Sequence, residues 1–188
     1  MKLIIASNNQ HKIYEIKTML ADKFSEILSL REAGINHETV EDGKTFLENA
    51  AKKAREIAEI SGCASLADDS GICVDALDGA PGIYSARFSG GTDDDNNALL
   101  LEKLSGKATR AAHYTCAMVI AYPDGKQLSA EGYMHGEITD TPRGNRGFGY
   151  DPLFIPTGES RTVAEMTDAE KNAISHRANA LKALLSKL

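Results

Sequence analysis

Two adjacent carboxylates, Asp68 and Asp69, lie inside an otherwise apolar part of the chain and restrict what it can fold into. They follow the short run Ser65-Leu66-Ala67 and precede Ser70-Gly71, which we predict to form a tight turn between two strands. Neighbouring carboxylates repel each other, and burying them without compensation is costly. A divalent cation or a strong hydrogen-bond network must therefore accompany the pair, which points to metal-assisted chemistry if the pair is functional.

Length and charge narrow the class of protein. A chain of 188 residues predicts a single domain over residues 1–188, with room for two lobes and a substantial core. Its net charge of −6 argues against a nucleic-acid partner, because binding a phosphate backbone requires a basic surface. An anionic small-molecule substrate stays compatible with this charge if basic side chains gather locally.

The apolar segments and the cysteines predict a cytoplasmic protein. Cys63, Cys73 and Cys116 are odd in number and lack C-x-x-C spacing, so we expect buried free thiols in a reducing compartment. The apolar run after Met1-Lys2 is too short for a secretory signal. The longest apolar stretch, residues 116–121, is too short to cross a bilayer, so no membrane partner is expected.

The periodicity of the chain predicts alternating strands and helices. We expect strands at residues 3–6, around the two aspartates, at 114–122 and at 127–134, and helices after Asn9, from Thr45, over 93–104 and at the C-terminus. The Pro123-Asp124-Gly125 turn makes the last two strands an antiparallel hairpin. An α/β fold with a mixed β-sheet flanked by helices follows.

The first strand leads into Ser7-Asn8-Asn9-Gln10-His11-Lys12, and this turn has two interpretations. The N-terminus of a helix favours an anion, and Lys12 adds positive charge, so the turn can bind phosphate. The same residue types also form an ordinary helix cap.

The helix beginning after Thr45 separates two neighbouring lysines. At about 100° per residue, Lys52 points away from the apolar stripe, whereas Lys53 lies at its edge and can reach into a cleft. Glu48 is explained as the capping-box partner of Thr45. Glu41 has no comparable capping role. It can complete an oxygen ligand set for Mg²⁺ with Asp68 or Asp69, or it is a plain surface acid.

Two further segments carry aromatic and basic side chains. Phe148-Gly149-Tyr150-Asp151 can stack on a flat base and accept hydrogen bonds from it, or it is a strand entry with core aromatics. Ser175-His176-Arg177 is predicted to begin the last helix. With the nearby Lys171, it is either a binding cluster or a solvated basic patch.

Six motifs, in one order along essentially the whole chain, together resemble the inosine/xanthosine triphosphate pyrophosphatase family (dITP/XTP or purine NTP pyrophosphatases). They are Ser7-Asn8-Asn9 with Lys12, Thr45-Phe46-Leu47-Glu48-Asn49-Ala50, Ala67-Asp68-Asp69-Ser70-Gly71, Gly79-Ala80-Pro81-Gly82-Ile83-Tyr84-Ser85-Ala86-Arg87, Gly147-Phe148-Gly149-Tyr150-Asp151-Pro152 and Lys171-Asn172-Ala173-Ile174-Ser175-His176-Arg177.

The resemblance implies an elongated mixed sheet flanked by helices, with two lobes around a central active-site cleft, in a homodimer. It also implies Mg²⁺-dependent hydrolysis of ITP, dITP and XTP between the α and β phosphorus atoms. The products are a nucleoside monophosphate and pyrophosphate, and the role is cleansing of the nucleotide pool.

The resemblance further implies a role for each motif residue. Residues 7–12, Lys53 and Lys171 match triphosphate contacts. Asp69 matches the catalytic carboxylate, a metal ligand and proton acceptor, with Ser70 beside it on the substrate. Glu41 aligns with a second acidic metal ligand.

The remaining motifs match contacts to the base. Residues 148–151 match the base pocket, and His176-Arg177 match contacts to the purine edge. Arg87 belongs to a matching motif without an assigned role. Two alternatives stay open: a regulatory protein that senses triphosphates without turnover, and a related pyrophosphatase acting on pyrimidine nucleotides.

Overall fold

The computed structural model describes residues 2–21 and 23–188, which form strands, helices and three short 3₁₀ segments. The strands are β1 (Lys2–Ile5), β2 (Glu26–Ser29), β3 (Ala64–Val74), β4 (Ala111–Ala121), β5 (Gln127–Ile138) and β6 (Phe154–Pro156). The helices are α1 (Gln10–Leu20), α2 (Phe46–Ser61), α3 (Asp93–Leu104), α4 (Asp168–Ile174) and α5 (His176–Leu185).

The strands form one mixed sheet in the order β2-β1-β3-β4-β5-β6. β1 pairs in parallel with β2 and with β3, where Leu3 lies opposite Ala64 and Ile5 opposite Leu66. β5 and β6 pair antiparallel. The predicted mixed sheet with flanking helices is therefore confirmed.

The chain divides into two compact units. The first comprises Met1–Asp69, Cys116–Gly132 and Ala178–Leu188, and the second comprises Ser70–Thr115 and Tyr133–Arg177. The strands β3, β4 and β5 each contribute residues to both units.

In the first unit, helices cover both faces of the sheet, which explains the nearly continuous apolar runs of its strands. Alternate residues of β1 enter two separate cores. One core contains Leu3 and Ile5 with Ile13 and Ile16 of α1 and Leu181 and Leu184 of α5. The other contains Ile4 and Ala6 with Ala50, Ala54 and Ile57 of α2.

The second unit has its own core, which includes Ile72 and Val74 of β3, Leu100 and Leu104 of α3, and Tyr114 of β4. Phe154 of β6 also packs in this core.

The structure corrects the turn predicted at Ser70-Gly71. β3 continues through both residues to Val74, because a pleated strand can carry polar side chains when partners on each face satisfy them. β2 and β6 had no prediction, since both are short, with four and three residues. No helix of the described residues is both long and apolar enough to cross a membrane.

Candidate active site

Asn9 closes the N-terminus of α1 with its side chain. Its Oδ1 accepts hydrogen bonds from the backbone N–H groups of His11 (3.0 Å) and Lys12 (3.2 Å). Ser7 Oγ accepts one from the Asn9 N–H group at 3.2 Å. The helix-cap interpretation of this turn is confirmed, while phosphate binding by residues 7–12 stays a prediction.

The pleat of β3 sends Asp68 and Asp69 to opposite faces of the sheet. Leu66 packs in the core that contains α1, and Ala67 packs in the core that contains α2. By the same alternation, Asp68 Oδ2 lies 3.1 Å from Nζ of Lys12 on α1, whereas Asp69 contacts α2. Both aspartates are buried, at 1% and 7% exposure, and each has its own ammonium partner.

Asp69 receives a hydrogen bond and an ion pair from one helix. Asn49 Nδ2 donates to Asp69 Oδ2 at 3.1 Å, and Lys53 Nζ lies 3.4 Å from Oδ1. Burial raises the pKa of Asp69 above its ordinary value, although Lys53 and Lys12 oppose the shift. A carboxylate whose pKa is raised is a better proton acceptor.

Lys53 contacts two carboxylates at once. Its Nζ lies 2.5 Å from Glu41 Oε1 as well as 3.4 Å from Asp69. Burial alone would lower the pKa of Lys53, but the charges of Asp69, Asp68 and Glu41 outweigh burial and raise it, so Lys53 stays protonated.

Lys52 has a different partner. Its Nζ donates to Oδ1 of the exposed Asp42 at 2.7 Å. The predicted separation of the two lysines is thus observed, since Lys53 reaches the buried carboxylates and Lys52 does not.

Asn49 is a site residue without a predicted role. It is fully buried, and its Oδ1 accepts the backbone N–H of Gly43 at 2.8 Å while its Nδ2 holds Asp69. The signal was available, because Asn49 is a polar residue on the apolar face of α2, four residues before Lys53.

The predicted capping box of α2 forms only in part. Thr45 Oγ1 accepts the Glu48 N–H at 3.1 Å, but the Glu48 carboxylate accepts the N–H of Lys44, not that of Thr45. Glu48 therefore still supports the N-terminus of the helix, one residue further out than predicted.

The donor set for a metal ion is small. No group of three or more His, Cys, Asp and Glu residues is arranged to hold a metal ion in residues 2–21 and 23–188. Glu41 and Asp69 do approach one common cation, the Lys53 ammonium. Mg²⁺ commonly takes only one or two protein carboxylates, with water and phosphate oxygens completing the shell, so this pair fits it.

In the second unit, residues 147–151 form a tight loop around a carboxylate. Gly147 has φ +73°, and a Cβ atom there would lie 2.1 Å from Asp151 Oδ2. The backbone N–H of Phe148 donates to that same oxygen at 3.1 Å. Glycine at position 147 therefore lets the backbone close on the Asp151 carboxylate.

Asp151 lies at the centre of a buried network. Besides the Phe148 N–H group, it accepts Lys171 Nζ at 2.8 Å and the Tyr114 hydroxyl at 3.3 Å. The Lys171 ammonium also lies over the Phe148 ring, 4.8 Å from its centroid. The predicted substrate ligands Asp151 and Lys171 thus bind each other and fix the aromatic loop.

Tyr150 is a core aromatic residue, which is the structural alternative given for its motif. Its ring packs in the core of the second unit, and its hydroxyl donates to the carbonyl of Ser85 at 2.8 Å. Burial, with the charge of Asp93, raises its pKa.

His176 and Arg177 begin α5, as predicted, and both are buried. Arg177 Nη2 donates to Ser70 Oγ at 2.9 Å, and its guanidinium lies 6.0 Å from the Phe148 ring centroid. The His176 ring stacks on Tyr114. A guanidinium at 1% exposure is not a solvated patch, so the solvated-patch interpretation is wrong for these two residues.

Comparison with known proteins decides the family. The model of the Ham1 family matches residues 3–187. The chain belongs to the Ham1 family.

Relatives match this chain over nearly their whole lengths. The dITP/XTP pyrophosphatase of Exiguobacterium sp. (strain AT1b) is 51% identical, covering 98% of this chain and 95% of the relative. That of Clostridium perfringens is 50% identical, covering 100% and 97%. Among solved structures, a HAM1 protein from Coxiella burnetii has a TM-score of 0.90 at 36% identity, with both chains fully covered. The predicted resemblance is therefore confirmed.

Within this Ham1 fold, ten of the predicted site residues form the main part of two clusters. The carboxylate–lysine cluster of the first unit contains Lys12, Glu41, Lys53, Asp68 and Asp69, joined by Asn49. The aromatic–basic cluster of the second unit contains Phe148, Asp151, Lys171, His176 and Arg177, joined by Tyr114 and Ser70.

Proposed function

We propose that this chain hydrolyses ITP, dITP and XTP to the nucleoside monophosphate and pyrophosphate, with Mg²⁺ as cofactor. One observation carries the proposal: relatives about half identical over nearly the whole chain are named dITP/XTP pyrophosphatases. The two clusters support it, because one offers lysines and acids suited to a triphosphate and the other offers aromatic and basic groups suited to a base.

The triphosphate binds the lysines of the carboxylate–lysine cluster in this proposal. A nucleoside triphosphate carries about four negative charges, and a protein of net charge −6 needs local cations to bind it. Lys12 and Lys53 are basic side chains held in place by buried carboxylates, which favours contact with phosphate oxygens. Residues 7–9 supply amide and hydroxyl donors beside Lys12.

Glu41 and Asp69 are the proposed Mg²⁺ ligands, and Asp68 orients Lys12 from the opposite face of β3. When bound, Mg²⁺ supplies electrostatic stabilisation of the charge that develops on the transferring phosphoryl group.

Asp69 is the proposed proton acceptor. A water molecule attacks the α-phosphorus, the bond from that phosphorus to the α–β bridging oxygen breaks, and pyrophosphate leaves with the bond's electron pair. The water proton passes to Asp69, whose raised pKa suits this step. Asn49 holds Oδ2 of this carboxylate, and Ser70 contacts the substrate beside it.

The purine binds the aromatic–basic cluster in the same proposal, with Phe148 against its face. The 6-keto oxygen of hypoxanthine accepts a hydrogen bond from Arg177 or His176, whereas the 6-amino group of adenine meets these donors with donors of its own. Such a mismatch between buried polar groups discriminates strongly. Guanine shares the 6-keto group, so its rejection depends on its 2-amino group.

The test measures pyrophosphate release with Mg²⁺ from ITP, XTP, dITP, ATP, GTP and dTTP. We expect kcat/KM for ITP and XTP to exceed that for ATP by at least about 100-fold. Equal turnover of ATP, or a preference for dTTP, would contradict the proposal, and release of orthophosphate would refute the cleavage position. Binding of ITP without any turnover would favour the sensor alternative.

A homodimer in the cytoplasm completes the proposal. The dimer is expected from the resemblance, and the compartment from the three cysteines, which are all free in the structure. Only Cys116 is buried as predicted, whereas Cys63 and Cys73 are half-buried. Light scattering coupled to gel filtration measures the assembly: a mass near 20.2 kDa, that of one chain, would contradict a dimer.

A further inference from the structure

Tyr114 contacts two of the side chains that the proposed function assigns to the base. Its ring stacks on His176 with centroids 4.6 Å apart and planes 9° apart. Its hydroxyl lies 3.3 Å from Asp151 Oδ1. Tyr114 belongs to none of the six motifs and lies within an apolar strand.

The fold fixes the Tyr114 ring from two sides. Tyr114 lies on β4 at 7% exposure, and Phe154 packs against it at 4.8 Å with planes inclined by 64°. His176 covers the ring with its own, nearly parallel ring. A tyrosine held in this way has little rotational freedom, so it is a rigid platform for the imidazole.

The stack matters because of how imidazole forms hydrogen bonds. Both ring nitrogens direct their N–H groups or lone pairs within the ring plane. A neighbour that fixes this plane therefore fixes the directions in which His176 can donate or accept. Loss of the stack leaves the imidazole in its place on α5 but free to tilt.

The Tyr114 hydroxyl also helps to position a neighbouring side chain, that of Asp151. Asp151 binds the backbone N–H of Phe148 and the ammonium of Lys171, and the Tyr114 hydroxyl contacts its other oxygen. At 3.3 Å this hydrogen bond is longer than the usual O–H···O distance. We therefore expect it to contribute less to positioning of the base contacts than the ring stack does.

We propose that Tyr114 is a positioning residue for purine selectivity, acting through the plane of His176 and secondarily through Asp151. The inference rests on the proposed function, since it assumes that His176 contacts the purine edge. It assigns a specificity role to a residue of the core that does not itself touch the base.

If Tyr114 merely filled the core, its substitution would have a different outcome. Its loss would lower stability and reduce the turnover of all substrates alike. A positioning residue changes the ratio of kcat/KM for ITP to that for ATP, because only the keto-specific hydrogen bond depends on the angle of His176.

Two substitutions separate the ring from the hydroxyl. Tyr114→Phe keeps the stack, and we expect the ITP:ATP ratio to stay within about threefold of wild type. Tyr114→Leu keeps apolar bulk but removes the plane. We expect it to lower the ratio at least about tenfold, chiefly through a higher KM for ITP. Leu104→Ala, in the same core, is the control for general core damage and should leave the ratio unchanged.

A double-mutant cycle tests whether Tyr114 acts through His176. His176→Ala alone should lower the ratio, and adding Tyr114→Leu to it should lower it little further, because the positioned group is already gone. Additive effects would overturn the inference. If Tyr114→Leu does not fold, as judged by circular dichroism, Tyr114→Met replaces it, since methionine fills irregular core space.

The wild-type measurement keeps the two proposals apart. Failure of wild type to prefer ITP over ATP contradicts the proposed function and the inference built on it. Wild-type preference for ITP that persists in Tyr114→Leu, or that is lost equally in Leu104→Ala, overturns the inference alone.

Discussion

At the scale of single residues, the chain places a carboxylate where its charge is unfavourable for stability. Burial raises the pKa of Asp69 despite two nearby lysines, so the ionised form is less favourable in the folded chain than in the unfolded one. The pKa of Asp42 shifts in the opposite direction. Asp42 is exposed, and the hydrogen bond from Lys52 lowers its pKa. Such unfavourable charges are typical of catalytic positions.

Asp69→Asn should therefore stabilise the protein while inactivating it. Above its raised pKa, Asp69 must carry its charge in a buried place, which lowers stability; below the ordinary value of 3.8 both states are protonated and the penalty is absent. We expect a higher Tm for Asp69→Asn at pH 7, a difference that shrinks as the pH falls and vanishes below 3.8, and a rate loss of at least about 100-fold.

Asp42→Asn is the matched control for both the Tm and the activity of Asp69→Asn. The lowered pKa means that the Asp42 charge stabilises the folded state above 3.8, so its removal should lower Tm slightly and leave activity unchanged. Thermal melts across pH and pyrophosphate release measure these effects. A Tm for Asp69→Asn below that of wild type at pH 7 would show that the lysines outweigh burial. Near-normal activity would move the catalytic role to Asp68 or Glu41.

At the scale of elements, α2 organises the carboxylate–lysine cluster by its periodicity. Asn49 and Lys53 are four residues apart and hence lie on one face, where both contact Asp69. Lys52 is rotated by about 100° and pairs with an exposed carboxylate. The helix thus divides two chemically identical side chains between a buried cluster and the surface.

Lys53→Ala should weaken triphosphate binding, and Lys52→Ala should not. Removal of a charged group that contacts phosphate in a buried cluster is expected to raise KM for ITP by about 10–100-fold. For Lys52→Ala we expect a change of no more than about twofold, because exposed ion pairs contribute little. Steady-state kinetics measure both, and equal effects of the two substitutions would refute the helix-face argument.

At the scale of the whole molecule, hydrophobic periodicity was sufficient to predict most of the fold. α3 was predicted with its observed ends, Asp93–Leu104, and in the structure Thr92 caps its first turn. The turn at Ser70-Gly71 was wrong because two polar residues after an apolar run resemble a strand end, and only the pleat and its partners show that the strand continues. Tyr114 has no predicted role because tertiary packing, rather than local pattern, gives it its partners. Asn49 differs, since a polar residue on the apolar face of α2 is a local signal.

The predicted single domain also has a consequence for unfolding. The structure has two compact units with separate cores, yet β3, β4 and β5 each run from one unit into the other without a linker. Because the shared strands carry residues of both cores, loss of one core disrupts strands on which the other depends. We therefore expect one cooperative unfolding transition.

Leu66→Ala and Leu100→Ala test this in matched fashion, since each leucine is fully buried, one in each unit. Each substitution should cost about 2–5 kcal/mol and lower Tm by roughly 4–20 °C. Calorimetry should show a single transition in wild type and in both variants, with the calorimetric and van't Hoff enthalpies equal. Two transitions, of which each substitution shifts only one, would mean that the units are separate domains, because only independent cores can melt independently.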